Sequence, residues 1–287
     1  MTASWPSDGL PAAGNAASPV RQGPAGKNAA GQIFRWQAAL TEIVVGTSGL
    51  GVLLILWWVG TDVIATPLGF VRHFSPTSAF ASLAQLVTQS DLPIHILVSL
   101  RRVMVGLGLA LLIGVPLGLA VGSYSLLNAA TSPAFQFLRM ISPLSWMPIA
   151  VMVFGVGDRP IYFLLTFAAV WPILLNTAEG VKSLEPSWLG LATSLSATRW
   201  ETLRHVIFPG VLGHVLTGLR LAIGIVWIVL VPCEMLGVSA GLGYFILDTR
   251  DRLAYSELTA MVLIIGLLGF LLDAGARGLY RMAGRDH

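Results

Sequence analysis

The sequence predicts an all-α, polytopic membrane protein of about six transmembrane helices, with a helical hairpin on its cytoplasmic side. Three observations carry that reading. Apolar residues make up 55% of the 287 positions and charged residues only 11%, where a soluble domain carries roughly 25% charged residues. Six apolar segments approach the ~20 residues a helix needs to cross a bilayer. Between the fourth and fifth of them lies a polar stretch with helical periodicity. The mean hydropathy of +0.78 agrees. The formal charge of +3 does not point to nucleic acid, because basic residues in such chains mostly set topology.

Residues 1–42 read as a disordered cytoplasmic tail, rich in Ala, Gly, Pro and Ser up to about residue 31. The tail lacks the apolar core of a cleavable signal peptide, and Arg35 flanks an uncleaved anchor. Residues 43–75 read as the first span, about Ile43–Gly60, and its outer connection; Trp57 and Trp58 mark the interface belt. Residues 76–287 form the main membrane domain. Its spans are read at Val103–Gly122, Met140–Val156, Ile161–Ala178, Val211–Leu236 and Leu258–Leu272. The last two hold only thirteen and fifteen uncharged residues between Arg220 and Glu234 and between Glu257 and Asp273. Arg220 can snorkel, and the three acids fall near span ends.

With both termini inside, residues 1–42, 123–139, 179–210 and 273–287 lie in the cytoplasm. The tail, the hairpin and the carboxyl terminus then hold Arg21, Lys27, Arg35, Lys182, Arg199, Arg204, Arg277, Arg281 and Arg285, and the outer loops hold Arg72, Arg159, Arg250 and Arg252. Arg101 and Arg102, near the outer end of the second span, strain this pattern; Asp91 or a polar cavity are the expected partners. Gly114, Gly118 and Gly122 form a small-residue stripe suited to close helix packing, within one subunit or at a dimer seam. Gly237, Gly241 and Gly243 open the connection Val238–Arg252 and give it the look of a loosened, charged outer loop.

The polar stretch 182–210 is the most specific feature. Leu184, Trp188, Leu191 and Leu195 share one helix face. Ser196 and Ala197 break that pattern. Thr198 and Glu201 have capping-box spacing. Trp200, Leu203 and Ile207 line a second helix that Pro209 is expected to stop. An apolar-faced hairpin in water needs a partner groove.

Catalytic signals are missing. The chain has no GxxxxGK[ST] phosphate loop: Gly26 and Lys27 are followed by Asn28. No metal site is expected, since the histidines at 73, 95, 205, 214 and 287 lack metal-ligand spacing and Cys233 stands alone. The expectation is a protein without cofactor, nucleophile or enzymatic activity. Arg220, Glu234 and Asn176 are the candidate residues of a translocation path. Arg220 and Glu234 stand fourteen residues and ~21 Å apart on one helix. Arg139, Glu179 and Asp273 are further polar groups in or at the edges of spans, where unpaired charge is expensive.

The stretch GLATSLSATRWETLRHVIFPGVLGHVLTGLRLAIGIVWIVLVPCEMLG resembles the cytoplasmic signature loop and following helix of binding-protein-dependent ABC importer permeases. Their signature reads EAA, three residues, Gly, nine residues, Ile-x-Leu-Pro. Gly190 stands at the glutamate, Ala192 at the second alanine, Ser196 at the glycine, Val206 at the isoleucine, Phe208 at the leucine and Pro209 at the proline. A serine where the turn needs positive φ costs about 1 kcal/mol over glycine. PTSAFASLAQL, SLRRVMVGLGLALLIGVPLGLAVG, WPILLNTAEGVKSLEP and EMLGVSAGLGYFILDTRDRL are similar, in order, to the nitrate/sulfonate/taurine branch from about Pro76 onward.

The resemblance implies a permease subunit in the bacterial inner membrane, paired with a second permease subunit, commonly as a homodimer, and set among membrane lipids. A periplasmic substrate-binding protein delivers a small anion or zwitterion, and a cytoplasmic ABC ATPase dimer receives the coupling loop. Leu191, Ala192, Leu195, Ser196, Ala197, Thr198, Arg199, Trp200 and Pro209 are the expected coupling residues. Two other readings stay open. A secondary transporter would use Glu179, Glu234 or Asp273 as a proton site, and a scaffold would have lost coupling through Gly190 and Ser196.

Overall fold

The computed structural model describes residues 48–64, 69, 71–89 and 91–283; the tail reading of 1–42 lies outside them. The chain divides into two compact units, Met1–Leu56 and Trp57–His287. The described part of the first is the start of an apolar helix, α1, Ser48–Ile64, whose last residues widen into a π turn.

The described residues of the second unit form helices joined by short turns, with no strand among them. After a 3₁₀ turn at Val71–Phe74 come α2 (Pro76–Gln89), α3 (Leu92–Ser123) and α4 (Ser125–Met140). A 3₁₀ turn at Pro143–Trp146 leads into α5 (Met147–Phe154), then α6 (Asp158–Lys182), α7 (Pro186–Ser194) and α8 (Arg199–Thr202). The chain ends with α9 (Phe208–Glu234), α10 (Leu242–Asp251) and α11 (Tyr255–Ala283). Helices α3, α6, α8 continued through α9, and α11 are long and apolar enough to cross a membrane, and α4 with α5 makes a fifth crossing if that bent pair is one span.

The core is α6 held between α3 and α9. Leu107, Ala110, Ile161, Leu164, Leu165, Ala169, Ala222, Val226 and Leu230 are buried there. The glycine stripe of α3 makes this contact, so its role lies within the subunit. A Cβ on Gly118 would stand 2.6 Å from both the carbonyl oxygen of Leu174 and Cβ of Thr177, which no side chain tolerates. A second cluster joins Leu86, Leu92, Leu242, Phe245, Met261 and Ile264.

Several expectations change. The third span is not one helix over Met140–Val156: α4 and the Pro143–Phe154 segment meet at 86°. Pro143 and Pro148 lack amide hydrogens, and Ile141 and Ser142 are extended, so the helical ladder cannot run through. The connection 123–139 is mostly the helix α4. Pro209 does not stop the hairpin helix. The Phe208 N–H reaches back to the Leu203 carbonyl, forming a π turn over Leu203–Ile207, and the wider turn gives the proline ring room. The glycine-rich stretch 238–252 is largely α10, an anchored helix. Arg101 and Arg102 lie well inside α3, which begins at Leu92, and Asp273 lies well inside α11.

Candidate functional site: an exposed hairpin and a buried charge anchor

The hairpin closes α7 with a Schellman motif. The Ala197 N–H bonds the Ala192 carbonyl and the Ser196 N–H bonds the Thr193 carbonyl, each at 3.0 Å. Ser196 takes φ +55°, the left-handed conformation that this motif demands and that glycine adopts without cost. The signature's glycine position is therefore the C′ residue of a helix cap.

Two residues further on, Thr198 starts α8 with the full capping box. Its backbone N–H and hydroxyl donate to Glu201 Oε2 at 2.8 and 2.7 Å, and its oxygen accepts the Glu201 N–H at 3.3 Å. Two reciprocal caps back to back fix the angle of the hairpin with few residues.

The caps present an apolar surface. Leu195 is 74% exposed, Trp200 67% and Leu191 63%, with Trp188 also exposed, while Ala192 is buried. Arg199 stands beside Trp200 at the start of α8. Behind them a cavity of about 1110 Å³ separates the hairpin from the end of α3, lined by Pro116, Leu119, Leu189, Ala197, Trp200 and Phe208 among others. Pro209 lies behind this surface, at the first turn of α9.

The opposite end of the bundle holds a buried ionic cluster. The Arg102 guanidinium, 3% exposed, donates from Nε and Nη2 to Asp158 at 2.9 and 2.6 Å and from Nη1 to Glu234 at 2.7 Å. Nη1 also donates to the Ala240 carbonyl at 2.7 Å. The Glu234 side chain has no exposed surface and accepts the Ser99 hydroxyl at 2.7 Å and the Gly243 N–H at 3.0 Å. Ser99 in turn accepts the Leu242 N–H at 2.9 Å, and His95 Nδ1 accepts the Gly241 N–H at 3.0 Å. Arg101 pairs with Asp158 from outside. Two arginines and two carboxylates balance. The first amides of α10, otherwise orphaned at a helix start, go to side chains of α3 and α9.

The path candidates separate. Arg220 pairs with Asp273 at 3.4 Å, and Asp273 also pairs with Arg277. Asn176 donates to the Pro172 carbonyl at 2.8 Å, one turn back on its own helix. Glu234 belongs to the buried anchor, with Arg102 and Asp158 rather than Asp91 as the cluster's members. Ser99, Asp158 and His95 were not singled out by sequence reasoning. The signal available was the pair of adjacent arginines at 101–102, whose cost in a membrane required nearby acids. Among the described residues no group of His, Cys, Asp and Glu could hold a metal ion.

The family model for the binding-protein-dependent transport system inner membrane component matches residues 110–286. The bicarbonate transport system permease protein CmpB of Synechococcus elongatus is 34% identical over 255 residues, 86% of this chain and 91% of that protein. The taurine transport system permease protein TauC of Escherichia coli is 32% identical, over 86% of this chain and 92% of that one. The nitrate import permease protein NrtB of Synechocystis is 31% identical, over 81% and 86%. Among solved structures, a chain of the inward-facing MetNI methionine ABC transporter superposes with TM-score 0.55 at 16% identity, over 67% of this chain and 95% of its own. A bacterial ABC transporter that imports the acidic polysaccharide alginate gives 0.54 at 16% identity, over 86% and 98%. At those identities the structures show a shared fold.

Proposed function

The chain belongs to the binding-protein-dependent transport system inner membrane component family and is a multi-pass permease subunit of an ABC importer; from that premise we propose that it passes a small anion or zwitterion across the bacterial inner membrane. The solute class is the one shared by bicarbonate, nitrate and taurine, which the similar permeases carry in their names. A periplasmic binding protein delivers it, and a second copy of this chain completes the path.

The observation that carries the mechanism is the exposed apolar hairpin. Leu191, Leu195 and Trp200 face outward on a rigid double-capped turn. A surface of this kind in water is stable only when a partner covers it. The partner is a cytoplasmic ATPase subunit, and both termini of this chain lie on that side. ATP-driven closure of two such subunits draws two hairpins together. Because α8 runs through the π turn into α9 without a break, movement at Trp200 is delivered directly to a membrane-crossing helix. Ala192, Ser196, Ala197, Thr198 and Pro209 set the shape of the lever, and Arg199 supplies a charge to the groove. Arg220 and Asn176 border the path. Glu234 and Arg102 keep α10 fixed to the core, so that the bundle rocks as one body.

Co-purification with the ATPase and binding protein, followed by uptake in proteoliposomes, tests this reading. ATP-dependent uptake of one of these solutes is expected. Uptake driven by a proton gradient without the ATPase would replace it with secondary transport.

A further inference from the structure

The break between α4 and α5 holds an aromatic ladder that none of the preceding roles uses. Phe163, Phe167 and Trp171 stand four residues apart on one face of α6. Trp146, from the 3₁₀ turn in the break, meets Phe167 at a tilt of 52° with ring centroids 5.6 Å apart. Trp171 meets Phe167 edge-on at 5.6 Å, and Phe135 of α4 meets Trp171 at 5.7 Å. Phe154 of α5 extends the ladder to Phe163 at 5.5 Å.

Two polar atoms sit in this apolar wall. The indole N–H groups of Trp146 and Trp171 are buried and, among the described residues, have no hydrogen-bond acceptor. Other tryptophans in the same unit behave differently: Trp227 donates to the Ile265 carbonyl at 3.2 Å and Trp57 to the Phe74 carbonyl at 3.0 Å. An unpaired donor inside a membrane protein costs on the order of 1–3 kcal/mol, and this chain carries two against the same phenylalanine. They also coincide with the one sharply bent apolar helix pair among the described residues. Non-helical backbone at membrane depth is tolerated where it is buried in protein or lines a water-filled cavity, and discontinuous helices of transporters hold their substrates.

We infer that Trp146 and Trp171 form a transient binding site for a small oxyanion on the translocation path, with their indole N–H groups as donors. This deepens the proposed function and rests on it. An indole nitrogen donates and never accepts, so the ligand must bring acceptor oxygens. The ladder itself supplies no cation, so the ion is held weakly enough to leave again, as conduction requires.

The test uses the permease assembled with its ATPase and binding protein in proteoliposomes, with isotope-labelled nitrate, bicarbonate and taurine. Trp171→Phe and Trp146→Phe keep a ring against Phe167 and remove the donor. Each is expected to lower the maximal uptake rate about tenfold, the worth of one hydrogen bond to a charged group, while hairpin-dependent ATPase stimulation persists. Wild-type uptake with equal uptake by both variants overturns the site and leaves the permease reading intact. Absence of uptake and of ATPase stimulation in the wild type defeats the permease reading instead. A second measurement does not depend on the variants folding. In wild-type protein labelled at indole nitrogen, titration with nitrate should displace the Trp146 and Trp171 N–H resonances. If those two resonances stay fixed while nitrate is transported, the site is refuted.

Discussion

The two ends of this helical bundle distribute polarity in opposite ways. At the hairpin end Leu195 and Trp200 stand 74% and 67% exposed on a turn held by backbone caps. At the other end Arg102 and Glu234 are sealed inside, 2.7 Å apart. Each arrangement is unfavourable by itself, and each is rescued by a different partner. The exposed leucines need another polypeptide. The buried charges need their own chain, and they find it in α10. In the proposed mechanism one end receives force and the other resists deformation.

The largest expected effect lies at the anchor. Arg102→Leu leaves Glu234 buried without its cation, and removing one member of a buried pair costs about 3–5 kcal/mol. Thermal unfolding in detergent should show a sharply lowered midpoint; an unchanged midpoint would mean that the cluster is not a structural anchor. At the other end, Ala197→Asp places a carboxylate at the half-buried turn of the hairpin, on the cavity that Trp200 also lines. It should cost far less stability than Arg102→Leu, about 1 kcal/mol, as most single substitutions do, and abolish ATP-dependent uptake. Normal uptake in that variant would remove the coupling role.

Smaller effects sharpen the contrast. Thr198→Ala removes the capping box and should destabilise the hairpin by about 1 kcal/mol. Hydrogen exchange at the Glu201 amide, which Thr198 caps, reports that loss. Ser196→Gly should do the opposite. It relieves the left-handed strain at φ +55° and stabilises the turn by about 1 kcal/mol. Faster exchange around Ala197 in the glycine variant would contradict the cap assignment.

The two ends also differ in how far the sequence discloses them. The hairpin is local: Thr198 and Glu201 are three residues apart, and Ser196 answers to carbonyls in the preceding turn. Spacing rules reach that far, so both caps and the exposed face are legible. The anchor joins Arg102 to residues 56, 132 and 138 positions away. Nothing in local pattern pairs them, and the text between them is largely apolar. The break at Pro143 is a middle case. Pro143 and Pro148 are local helix breakers, but an 86° turn depends on what α6 offers to pack against. Pro209 misled for a related reason, because a proline stops a regular α-turn and a π turn admits it.

The central claim is that the apolar hairpin faces the cytoplasm and is covered there by the ATPase. A membrane-impermeant maleimide applied to Leu195→Cys tests it directly, since the native Cys233 is buried. Labelling is predicted in inverted vesicles, absent in right-side-out vesicles, and suppressed when the ATPase subunit is bound. Labelling in right-side-out vesicles, or labelling indifferent to the ATPase, would contradict the account.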